Sequence, residues 1–137
     1  MSKYNAFDID NCVIIQEKAL GEEYGLDVVN DLEGNYVTTF VKHKLVMRSG
    51  ETDIAETKKI NELEKLGKNI GEKLKHRGNL DMDVFWDKSN PIILELNARF
   101  GGGYPASHIA GANIPKAYIA WASKQEPMEE WFKIKYY

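Results

Sequence analysis

Between Asp83 and Gly103 the chain places two carboxylates, an amide, an arginine and three consecutive glycines: Asp83, Glu95, Asn97, Arg99 and Gly101 to Gly103. Glu95 and Asn97 are two residues apart, a spacing that projects both side chains from one face of a strand, where one cation can be held by both. Oxygen ligands of this kind suit Mg²⁺ or Mn²⁺. Arg99 follows two residues later and offers a planar fork of N–H donors that fits phosphate or carboxylate bidentately. A glycine loop brings backbone N–H groups close to an anion, although three glycines also make a plain flexible turn. The set reads as a metal-phosphate site.

A hairpin is what brings Asp83 to Glu95. Leu80 to Trp86 and Pro91 to Leu96 read as two strands around the turn-like Asp87 to Asn90, with Pro91 marking an edge or a strand start. In that hairpin Asp83, Glu95 and Asn97 converge on one face, and Asp81, on the same face as Asp83, is the alternative first ligand. The plain alternative is that strand carboxylates keep a solvent-facing edge soluble. Against it stands the setting of Glu95, flanked by Ile93, Leu94 and Leu96, since an unpaired carboxylate is costly to bury. For Arg99 the alternative is a salt bridge to a nearby acid.

Upstream, Cys12 to Gln16 reads as a short strand. Glu23 to Asn30 and Tyr36 to Phe40 form a hairpin around Asp31 to Asn35, and Lys42 to Met47 continues extended into a loop from Arg48 to Glu51. Ile60, Leu63, Leu66, Ile70 and Leu74 make one apolar stripe. The spacing predicts a helix from Asp53 to His76, with Asp53 and Glu56 as a capping box and Gly78 as the stop. Pro105 to Ala110 and Pro115 to Ser123 read as short helices, each with proline in its first turn, and Pro127 to Tyr137 as a helical turn and tail. Strands in hairpins, then a helix, then another hairpin predict an α+β fold with a mainly antiparallel sheet and flanking helices, in one domain over 1–137.

The chain has 137 residues, 43% hydrophobic and 28% charged, enough for a real core. A net charge of −3 argues against a nucleic-acid or anionic-membrane surface. No apolar run approaches the roughly 20 residues of a membrane helix, and the first residues do not read as a signal peptide. The single cysteine, Cys12, reads as a small core residue in a reducing cytoplasm. His43 and His76, among lysines and arginines, read as solvated. His108 reads either as a substrate contact or as a local hydrogen-bonding group. Trp86, Trp121 and Trp131 read as packing residues.

The wording from Leu94 through Glu95, Asn97, Arg99 and the glycine loop to Asn113 resembles the ATP-grasp superfamily, in its carbamoyl-phosphate-synthase-like branch. Ile14 to Glu17, followed by Gly21 to Tyr24, is similar to that family's adenine hinge and ribose-contacting stretch. Arg48 to Glu51 falls where the family carries a polar loop toward the nucleotide. The resemblance implies that Asp83, Glu95 and Asn97 hold Mg²⁺ bridging the phosphates of ATP, and that Arg99 stabilises an acyl phosphate or its transition state. By the same resemblance Gln16, Glu17 and Ala19 lie by the adenine, Glu23 near the ribose, and Arg48 near ribose or phosphate. Family members usually have proline between Asn97 and Arg99, where this chain has Ala98.

The implied reaction is ligation: ATP activates a small carboxylate for attack by an amine or another nucleophile. In the family, a preceding domain and a first small subdomain contribute lysines and a glycine-rich loop over the phosphates. Met1 to Asn11 is too short for these, so the expectation is the C-terminal part of an ATP-grasp enzyme, active with a complementary N-terminal chain or as a homo-oligomer. A truncated, non-catalytic nucleotide-binding or assembly module is the competing reading.

Overall fold

Alternation in the sequence places one residue of each pair on either side of a sheet, and the sheet that results is antiparallel throughout. In a computed structural model, residues 15–48 and 51–136 are described. The elements are β1 (Glu22–Asn30), β2 (Tyr36–Arg48), β3 (Glu51–Lys58), α1 (Asn61–Leu74), β4 (Asn79–Trp86), β5 (Ile92–Asn97), α2 (Tyr104–Ala110), α3 (Ile114–Ala122) and a 3₁₀ turn at Glu129–Phe132. The strand order is β3-β2-β1-β4-β5. Every neighbouring pair is antiparallel, which bears out the α+β class. Among the described residues no helix is long and apolar enough to cross a membrane.

One face of the sheet lies under α1. Tyr24, Leu26, Val28, Val41, Leu80, Met82 and Val84 pack there against Leu63. The helix comes close because two of its buried positions are glycine. A Cβ on Gly71 would stand 2.8 Å from Asn30 Oδ1 and from Tyr36 Cδ2, and one on Gly67 would collide with Thr39. The other face is divided. Val29 and Phe40 pack under α2 and α3 against Tyr104, Ala112 and Ile114, while the rest of it carries charged side chains.

Several expectations are corrected. The helix begins at Asn61, not Asp53, and residues 51–58 are a strand. The apolar stripe itself starts only at Ile60, and the long β2 takes the threonine- and isoleucine-bearing segment before it as its ladder partner. Asp53 and Glu56 do not cap a helix: Asp53 holds Arg48 at 2.9 Å, and Glu56 holds His43 at 3.2 Å and Lys58 at 3.0 Å. The helix stops at Lys75, whose left-handed φ of 49° and N–H bond to the Gly71 carbonyl close the last turn. Gly78, at φ 86°, belongs instead to the bend leading into β4. Of the expected first strand, Cys12 to Ile14 lie outside the described residues, and Ile15 and Gln16 have no regular structure. Arg48 and Glu51 are paired strand ends; 49–50 lie outside the described residues. Among the described residues of the tail the regular structure is the 3₁₀ turn.

The histidines differ too. His43 is mostly covered, stacked on Tyr24 at 4.9 Å with Nδ1 3.2 Å from Glu56. His76 donates from Nε2 to the Val28 carbonyl at 3.2 Å. Trp86 meets Tyr24 edge-on and Trp121 stacks near Phe132, so both pack; Lys116 Nζ stands 4.6 Å over the ring of Trp131.

Candidate functional site

The charged part of the second face is assembled around a missing side chain. Gly25 on β1 has Lys42 of β2 as its partner on one side and Asp83 of β4 on the other. A Cβ there would stand 3.3 Å from Lys44 Cε and 3.4 Å from Lys42 Cε, so the glycine lets two lysine stems fold across β1. Lys44 Nζ thereby reaches both Glu23 and Asp83 at 2.7 Å. Burial alone would lower the pKa of this ammonium; the hydrogen bonds and charges of its two carboxylates outweigh that and leave it above the ordinary lysine value.

Lys42 is buried and makes a different bond. Its Nζ lies 2.6 Å from Asp27 Oδ2, and Ser107 Oγ donates to the same oxygen at 2.6 Å. Asp27 is fully buried, so this ion pair fastens α2, through Ser107, to β1 and β2. Asp81 sits opposite Asp27. Burial pushes its carboxyl above the usual range; Lys42 opposes this, and Asp83 and Asp27 add to it. Gly101 lies against Asp81 so closely that any Cβ would collide with the carboxylate, which accounts for a glycine there.

The hairpin of β4 and β5 performs as the sequence suggests. Asp83 is paired with Glu95 and Asp81 with Asn97, all on one face. Asn97 Nδ2 donates to Glu95 Oε1 at 3.0 Å. Arg99, largely exposed, has Nη1 3.9 Å from Asp81 and donates to the Phe100 carbonyl at 3.1 Å. Asp81, Asp83, Glu95 and Arg99 line a cleft of about 280 Å³ that also includes Gly25, Lys42, Lys44, Gly102 and Gly103, while Asn97 stands beside it on Glu95. One premise about Glu95 is overturned. It is exposed, because β5 is the outer strand and Leu94 and Leu96 beside it are 44% and 42% exposed. Its apolar neighbours therefore do not bury it.

The other expected residues divide. Gln16, Glu17 and Ala19 line a separate crevice of about 320 Å³ against Phe85 and Ile92 to Leu94. Phe85 is the strand partner of Glu23, so this crevice adjoins the Glu23–Lys44 pair. Arg48 is not brought to the cluster; it stands exposed at the end of β2 on Asp53. His108 is exposed in the last turn of α2, with Nδ1 3.4 Å from Tyr104 Oη, and does not line the cleft. Sequence reasoning missed Asp27, Lys42, Lys44 and Ser107, and assigned phosphate-facing lysines only to chain upstream. A signal existed: Lys42 and Lys44 share one face of a strand and directly follow the apolar Phe40 and Val41, no place for two idle ammonium groups.

Among the described residues no three His, Cys, Asp or Glu side chains are arranged to cage a metal by themselves. Asp83 and Glu95, paired across the hairpin, are a two-carboxylate oxygen set, which fits Mg²⁺ whose remaining ligands come from phosphates and water.

A family model described as ATP-grasp in the biosynthetic pathway with Ter operon matches residues 10–136. The chain belongs to this ATP-grasp family. A search of the curated proteins finds no match. Membership makes this ATP-grasp chain part of a group with ATP-dependent, ligase-like function in general, and the antiparallel sheet with its helices is consistent with an ATP-grasp fragment.

Proposed function

We propose that the charged face is the nucleotide-phosphate wall of an ATP-grasp ligase that activates a carboxylate as an acyl phosphate for attack by an amine or another nucleophile. The observation that carries this reading is the pairing of Asp83 with Glu95 beside Lys44, under a glycine loop, in one cleft. Asp83, Glu95 and Asn97 are the residues to hold Mg²⁺, which when bound draws charge from the phosphate oxygens. Lys44 adds a fixed positive charge next to Asp83, and Arg99 is free to swing from Asp81 to the transferring group. Gln16, Glu17 and Ala19 would take the adenine and Glu23 the ribose, in the crevice that adjoins Lys44.

In the first step a carboxylate oxygen of the acceptor attacks the γ-phosphorus, the new O–P bond forms, and the bond to ADP breaks. In the second the nucleophile attacks the acyl carbon, phosphate leaves, and an amine gives up its proton. Catalysis here is positioning and charge neutralisation. The sequence from Leu94 to Asn113 supports a reaction of the carbamoyl-phosphate-synthase kind, with chain N-terminal to this part covering the phosphates. Calorimetry with Mg-ATP on the chain, alone and mixed with that N-terminal portion, tests the reading. Binding that Glu95→Gln abolishes supports it; no binding in either sample, or binding indifferent to Glu95→Gln, sinks it.

A further inference from the structure

A second groove opens off the cleft. It holds about 420 Å³, with every residue of β3 from Thr52 to Thr57 on one side and Pro105, Ala106 and Ile109 of α2 on the other. Successive strand residues point to opposite faces, so a groove that touches all of them follows the strand's outer edge. Among the described residues that edge has no strand beside it, since β3 ends the strand order and pairs with β2 alone. Its outward N–H and C=O groups are the ones an added strand uses.

The lining says what such an occupant is made of. Ile109 and Ile54 stand at the groove 82% and 54% exposed, apolar side chains with little cover. Among the described residues no lysine or arginine lines it. Its two acids are already engaged, Asp53 with Arg48 and Glu56 with His43 and Lys58. A small charged acid finds no counter-ion there; main-chain hydrogen bonds and apolar contact are what the groove offers.

Its two ends differ. One is shut by the C-terminal stretch: Thr57 Oγ1 donates to the Lys135 carbonyl at 2.7 Å, and Lys135 N–H donates to the Ala110 carbonyl at 2.8 Å. At the other, Thr52, Ala55, Gly102 and Gly103 line both the groove and the cleft that holds Arg99 and Glu95. An extended occupant therefore leaves the groove toward the cleft. We infer that the carboxylate acceptor is a peptide, which adds to the outer edge of β3 as a sixth strand, rests apolar side chains on Ile54 and Ile109, and presents a carboxylate at Gly102 and Gly103. This names the substrate class and rests on the ligase reading above.

The test uses the full chain with Mg-ATP and a degenerate library of acetylated hexapeptides bearing free C-terminal carboxylates, read by affinity selection and amide hydrogen exchange. Retained peptides should alternate apolar with polar residues and slow exchange at 52–57. They should also bind roughly tenfold more weakly to Ile109→Asp, which leaves Mg-ATP affinity unchanged. Acetate and free glutamate, as small-acid probes, should leave exchange at 52–57 unaltered. If the chain binds Mg-ATP but no peptide is enriched, or exchange at 52–57 does not change, the peptide assignment is overturned and the ligase reading stands. Failure to bind Mg-ATP both alone and mixed with the N-terminal portion, with or without peptide capture, removes both.

Discussion

Leu26 and Asp27 are neighbours in β1, and both are fully buried, yet they belong to opposite regimes. Leu26 lies under α1 in a layer of aliphatic and aromatic side chains with Leu63, while Asp27 lies on the other face, held by Lys42 and Ser107. Met82 and Asp83 repeat the contrast in β4. On the α1 side, glycines in the helix remove space; on the other, a glycine in the strand creates it, and lysine stems lie where its side chain would be. Stability and chemistry are thereby assigned to alternate residues of the same strands, so each can vary without shifting the other's backbone.

The largest expected effect breaks that division where a charged pair is itself structural. Lys42→Met leaves Asp27 buried without its counter-charge and should cost about 3–5 kcal/mol in a urea titration, with Lys42→Met/Asp27→Leu recovering much of the loss. Full stability in the single variant would mean that Asp27 is not charged in the fold. Leu63→Ala, on the α1 side, should cost about 2–5 kcal/mol and leave the Mg-ATP affinity of the folded fraction unchanged. Glu95→Gln sharpens the converse: at an exposed position it should move stability by no more than about 0.5 kcal/mol, while Mg-ATP affinity falls roughly tenfold or more.

The smallest effect is read in pH. The Asp81 carboxyl is raised, so the folded chain holds that proton more tightly than the unfolded one. Ionisation therefore costs stability above its folded pKa, and the cost fades as pH falls through that folded value and is gone below roughly 4, the unfolded value. Asp81→Asn should melt higher than the parent near pH 7 and converge with it in acid. A constant gap across that range would show that the amide acts through packing alone.

Much of this was legible in the chain. Alternation at Tyr24, Leu26 and Val28 marks β1, and the stripe from Ile60 to Leu74 marks α1. The two-residue spacing of Glu95 and Asn97 places them opposite Asp83 and Asp81 as the pleat requires. The start of α1 is hidden because an acid followed three residues later by another imitates a capping box wherever it occurs, and in β3 those acids serve cross-strand cations. Glu95 reads as buried from its neighbours because local apolarity cannot tell an outer strand from an inner one. Lys42 and Lys44 give little sign of their role in the sequence, since their partners, Asp27, Glu23 and Asp83, are distant in the chain and meet them only once Gly25 clears the way.

Among the described residues, Glu95 and Asn97 sit on a strand that is held from one side only. Such a strand frays before the interior of its sheet, because its opening breaks one ladder and exposes few packed groups. A ligand bridging Asp83 and Glu95 would clip β5 to β4, so part of its binding energy would go into quieting that border. Measured affinity for nucleotide is then also a measurement of how often the border is already closed, and slower hydrogen exchange in β5 on adding Mg-ATP would report it.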